Sequence, residues 1–175
     1  MLLPARSEAE LTDLFRRLGA PDPEGWAHSE VSEGIPQLLR YLVLRGVWKT
    51  IVGEDSPTWI ENALRLTEQQ PDAPTAGVGA ALARMLAAGV HRDDLTALVR
   101  GMQYETAFSI LYLLEDPLMA WDDKRRELRA ELEPVTWSVV GEVGDGRVQD
   151  VGSLHEDLLM LDPTGREMRP SPPKQ

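Results

Sequence analysis

Apolar residues return every three or four positions through most of this chain, in short runs separated by proline, glycine and capping residues. That pattern predicts a mainly α fold, a compact set of amphipathic helices burying one face each. Ser7, with Glu10 three positions on, has capping-box spacing; Leu11, Leu14, Phe15 and Leu18 follow at helical intervals, and Gly19 supplies the stop. Residues 20–34 hold Pro21, Pro23, Gly25 and Gly34 among acidic residues and read as a loop, with Trp26 as its anchor. Pro36 is placed to open a second helix, because its missing N–H would lack a partner there anyway. Leu38, Leu39, Leu42 and Val43 carry that helix, and Gly46 is compatible both with an end and with continuation through Val47, Trp48, Ile51 and Val52.

Ser56-Pro57 has the form of an N-cap and first-turn proline for a third helix, whose face is Trp59, Ile60, Ala63, Leu64 and Thr67. Val78, Leu82, Met85, Leu86 and Val90 mark a fourth, and Leu95, Leu98, Val99 and Met102 a fifth after the break at Gly89. Residues 107–114 are apolar nearly all round, so this stretch is expected at the centre of the core. Trp121 to Leu132 reads as a charged helix with a narrow packing face. Thr136–Val140 and Arg147-Val148 flank Gly144-Asp145-Gly146, which predicts a small β-hairpin leaning on the helices. Ser153 with Glu156 repeats the capping-box spacing and opens a short final helix through Leu154, Leu158, Leu159 and Leu161.

The length, 175 residues, suits one α-rich domain over 1–168 followed by a disordered Pro-rich tail, 169–175. A formal charge of −11 repels phosphate backbones and anionic membrane surfaces while attracting basic partners, so nucleic acid is not an expected ligand. Absence of cysteine excludes disulfides, thiolate metal sites and a cysteine nucleophile. Arg40 and Arg45 interrupt the greasiest segment, 38–48, well short of the roughly 20 apolar residues of a membrane span. With no signal-peptide pattern at Met1–Ser7, the expectation is a cytoplasmic protein with no membrane association. Only Lys49, Lys124 and Lys174 among 18 basic residues are lysines, a bias that suggests a GC-rich bacterial genome.

No two of His28, His91 and His155 stand three to five residues apart, so no single helix offers a pair of imidazoles to a metal, and neither metal nor cofactor is expected. His91-Arg92-Asp93 superficially echoes a kinase catalytic loop, but Leu98 stands where asparagine is needed. Gly77-Val78-Gly79 lacks both a third glycine at Leu82 and a preceding strand, and reads as a helix entry. No G-x-S-x-G elbow or Walker lysine occurs.

Glu115, Asp116, Asp122 and Asp123 place four carboxylates within nine residues, beside Arg125, Arg126 and Arg129 at i,i+4 spacings that also suit a solvated helix face. Five tryptophans are many for this size; Trp48 and Trp59 fall on apolar faces, whereas Trp26 and Trp121 lie among acids. The expectation is therefore a non-catalytic binding or regulatory protein that holds a basic protein partner, for example in toxin neutralisation or as an adaptor. Its surface would comprise Trp26, Glu115, Asp116, Trp121, Asp122 and Asp123. The alternative is a small enzyme or ligand-binding protein using His91 or His155 with neighbouring carboxylates as acid and base.

Overall fold

The structure, a computed structural model, describes residues 6–56, 58–116, 136–142 and 146–170. Among them are seven helices, α1 Glu8–Leu18, α2 Pro23–Ser32, α3 Gln37–Trp48, α4 Thr58–Gln69, α5 Ala76–Ala87, α6 Arg92–Glu115 and α7 Leu154–Leu158. Strands β1 Val140–Glu142 and β2 Val148–Asp150 form an antiparallel pair between α6 and α7 in sequence, with Gly141 opposite Gln149. The fold is mainly α, as the periodicity predicts. The chain divides into two compact units, Met1–Lys49 with Ala107–Gln175, and Thr50–Thr106.

In the first unit α1 begins as its sequence dictates. Ser7 Oγ accepts from the Glu10 amide at 3.4 Å, and the Glu10 carboxylate accepts from the Ser7 amide at 2.8 Å. The Ser7 amide, and the Ser7 hydroxyl donating to the same carboxylate at 2.8 Å, hold the Glu10 carboxyl below the usual carboxylate range. Gly19 ends the helix at φ +78°, a left-handed turn that glycine adopts without strain. Residues 23–32, expected as a loop, are helical instead. The prolines that suggested a loop do other work: Pro23 takes the first helical position, where no N–H is needed, and Asp22 caps the amide of Gly25 at 3.0 Å.

Leu11 and Phe15 of α1, Trp26 and Ala27 of α2 and Tyr41 of α3 form one buried cluster. Phe15, Trp26 and Tyr41 meet edge to face in all three pairings, with centroids 5.4–5.9 Å apart, the geometry that ring quadrupoles favour. Helix α3 runs through Gly46 to Trp48. Its inward face is Arg40, Tyr41, Leu44 and Trp48, while Leu42 and Val43 are exposed. Pro36 offers no side-chain cap, and Glu30 of α2 takes that role by accepting from the Leu38 amide at 2.7 Å. Glu30 is half-buried, and desolvation raises its carboxyl above the ordinary range despite that amide.

The hairpin leans on α3, as expected, with Gly141 against Leu39 and Val151, where a Cβ would lie 2.8 Å from a Leu39 methyl. Just before β1, the Trp137 indole donates to the Leu113 carbonyl at 3.0 Å. Residues 107–114 do not form a helix buried all round. They end the 24-residue α6, with Leu111 buried but Ile110 and Leu114, one turn apart, exposed. An unbroken apolar run can cover two faces of one helix, and here only one is packed. The expected charged helix 121–132, the turn residues Gly144 and Asp145, and the tail from 171 lie outside the described residues.

In the second unit Ile60, Leu82 and Leu95 are buried together, with Trp59, Leu64 and Met85 against them. Gly79 lets α5 approach α4 closely, since a Cβ there would collide with Thr67 Oγ1 and the Ala63 carbonyl. The inward face of α6 differs from the expected one: Leu95, Thr96 and Arg100 are buried, while Leu98 and Met102 are each 60% exposed. Hydrogen bonds turn the polar residues inward. The Trp59 indole donates to Thr96 Oγ1 at 3.0 Å, and Arg100 donates to the Val52 carbonyl at 2.9 Å.

Candidate functional site

Tyr41, Arg45 and Trp48 of α3 and its C-cap Lys49 follow one another at spacings of four, three and one. They form one wall of a cavity of about 490 Å³ in the first unit, within the size range of small-molecule sites. The turn after α1, with Leu18 and Pro21, and the segment after α7, with Met160 and Leu161, supply the rest. The polar ends of both aromatic side chains are tied to backbone. Tyr41 Oη donates to the Leu18 carbonyl at 2.7 Å, and Trp48 Nε1 to the Leu158 carbonyl at 2.8 Å. Arg45 reaches the same Leu18 carbonyl at 3.3 Å.

Asp162 also lines the cavity and is buried, but its own loop claims its carboxylate. Oδ1 accepts from the Thr164 amide at 3.1 Å, and Oδ2 from Thr164 Oγ1 at 2.6 Å and the Met168 amide at 2.8 Å. These bonds hold a loop in which Glu167 and Met168 both have positive φ, 52° and 60°. A left-handed non-glycine residue is intrinsically unfavourable, so the buried carboxylate offsets backbone strain in the cavity wall.

Helix α7, which leads into that wall, is fixed by two charged side chains from other helices. Arg40 of α3 donates to the carbonyls of Gly152 and Ser153 and to the Asp157 carboxylate; its contact to Ser153 is 2.9 Å. Glu115 of α6 accepts from the amides of Leu154 and His155 and pairs with His155 Nδ1 at 2.7 Å. The imidazole packs on the rings of Tyr112 and Phe108, with centroids 4.8 and 5.5 Å away. The expected Ser153–Glu156 capping box does not form. Ser153 sits at φ +57° and its side chain makes no cap bond; the Glu156 amide donates to the Ser153 carbonyl at 3.3 Å, and Glu115 holds the two amides before it.

Of the residues expected to share an acidic partner surface, Trp26, Glu115 and Asp116 are among those described. Trp26 is 6% exposed in the aromatic cluster, so it packs the core. Glu115 is turned inward to start α7. Asp116 is half-buried at the end of α6, its amide donating to the Tyr112 carbonyl at 2.9 Å. Trp121, Asp122 and Asp123 lie outside the described residues. His28 stands 3.4 Å from Glu8, whereas His91 is exposed before α6 and His155 is held by Glu115.

The α3 cavity face was missed because Arg45 drew notice only as an interruption of an apolar run. Its alignment with Tyr41, Trp48 and Lys49 at helical spacing was the available signal. Comparison with protein-family models, curated proteins and solved structures found no match to this chain. Among the described residues no helix is long and apolar enough to cross a membrane.

Proposed function

We propose that this chain is a non-catalytic binding protein that takes a small molecule into the cavity between α3, the turn after α1 and the segment after α7. The observation that carries this reading is the cavity's construction. Its two aromatic side chains are buried with their polar ends satisfied by backbone, so they form fixed walls, and the Asp162 carboxylate is bonded within its own loop. A binding role is favoured over catalysis because neither imidazole–carboxylate pair among the described residues, His155 with Glu115 or His28 with Glu8, lines this cavity, and Glu115 also holds two amides. A cytoplasmic setting suits a chain without cysteine.

The acidic-surface reading, with a basic protein as partner, has less support, since Trp26 and Glu115 are turned into the fold. An NMR fragment screen tests the proposal. Hits are expected to shift the Trp48 indole N–H together with the amides of Gly19, Leu161, Asp162 and Gly165. Hits that shift only resonances elsewhere, or a screen without hits, would refute it.

A further inference from the structure

Building on that reading of the cavity, we infer that its ligand is an organic anion, a flat apolar body bearing one carboxylate or phosphate group that Arg45 and Lys49 receive. The two cations are one helical turn apart on the face of α3 that lines the cavity. Among the described residues Arg16 pairs with Glu24, Arg17 with Asp13, Arg40 with Asp157, Arg92 with Glu61 and Arg169 with Glu167, whereas Arg65 donates to the Asn62 side chain. With 29 acidic residues against 18 basic ones, a carboxylate partner is easy to come by. Yet neither Arg45 nor Lys49 pairs with a carboxylate among the described residues.

The acid nearest to hand in the cavity wall, Asp162, is spent on Thr164 and Met168. Arg45 uses one donor group on the Leu18 carbonyl, and a guanidinium has five N–H donors in all. Both cations also offset the negative end of the α3 dipole, which explains basic residues there but not their opening onto an aromatic-walled cavity. A ligand oxyanion would take charge-assisted hydrogen bonds from them while its body lies against Leu18, Pro21, Met160 and Leu161.

The test compares three probes of one shape on the full chain by calorimetry and NMR: 2-naphthoate, 2-naphthyl phosphate and the neutral 2-naphthamide. At least one of the two anions should bind about tenfold or more tighter than the amide, the equivalent of one charge-assisted hydrogen bond. Whichever anion binds tighter identifies the head group. The preference should shrink in Arg45→Gln and in Lys49→Gln and vanish in the double variant, whereas Arg65→Gln should leave it intact. Equal binding of amide and anions at the cavity overturns the anion inference and leaves the binding reading standing. If none of the three moves the cavity resonances, the anion inference falls for these bodies, and the fragment screen decides the binding reading separately. A preference that survives both substitutions removes Arg45 and Lys49 from the role.

Discussion

Helices α1 and α7 open on the same four-residue pattern, Ser7 to Glu10 and Ser153 to Glu156, yet they start by different means. At α1 the cap is local and exposed: serine and glutamate satisfy each other's amides, and nothing else competes for them. At α7 Ser153 is half-buried while Glu156 is exposed, and side chains from distant sequence hold the helix start. Glu115, some forty residues upstream, takes the first amides, while Arg40 holds the carbonyls that precede them and Asp157 beyond. Helix α3 lies between these cases, with Glu30 capping it from eight residues away. A capping pattern thus predicts a helix start well but predicts the capping atoms only where the helix end meets water.

The sharpest way to break the comparison is to remove Arg40. Arg40→Gln leaves the Asp157 carboxylate and two carbonyls without their cation in a poorly solvated place, so a loss of about 3 kcal/mol or more is expected in urea unfolding. A loss below about 1 kcal/mol would mean that α7 is held by its apolar contacts alone. Glu115→Ala is the next largest, at about 2 kcal/mol, because two amides and an imidazole lose one acceptor group. Glu115→Gln should cost clearly less, since its carbonyl oxygen still accepts from an amide. Equal losses would show that capping of the two amides is not what Glu115 contributes.

The two serines give the direct contrast. Ser7→Ala should cost about 1 kcal/mol, the usual value of an N-cap. Ser153→Ala should be near neutral in the same assay, its hydroxyl making no cap bond. Ser153→Gly should gain up to about 1 kcal/mol by relieving the positive φ. A Ser153→Ala loss as large as that of Ser7→Ala would refute the distinction between the two starts.

These contrasts also show why part of the fold was readable in the sequence and part was not. The caps of α1, the Gly19 stop and the Ile60–Leu82 face depend on neighbours in sequence or on period, which a single chain displays. The inward turn of Arg40, Thr96 and Arg100 depends on carbonyls and an indole that folding brings from elsewhere, which spacing along the chain does not display. Residues 20–34 misled for the opposite reason, as prolines that can end a helix can equally begin one. The candidate site combines both problems: its cations were visible, but its opposite wall comes from residues 160–165, more than a hundred positions away.

The smallest effect separates local from borrowed caps by the sign of their pH dependence. Glu10 is held below the ordinary carboxylate range by its bonds to Ser7, so the folded chain binds its proton less readily than the unfolded chain. Its contribution is present above the unfolded value and is lost as pH falls through the lower folded value. Glu30 is raised by burial, so its contribution is fully present below the unfolded value and is lost as pH rises through the higher folded one. Glu10→Gln should therefore flatten the loss of stability on the acid side of 4.5, the ordinary value. Glu30→Gln, which keeps an acceptor for the Leu38 amide and carries no charge, should raise the urea midpoint only on the alkaline side of 4.5. Urea midpoints measured from pH 3 to pH 7 decide the matter, because slopes of the same sign for both variants would mean that the cap at α3 is as well solvated as the cap at α1.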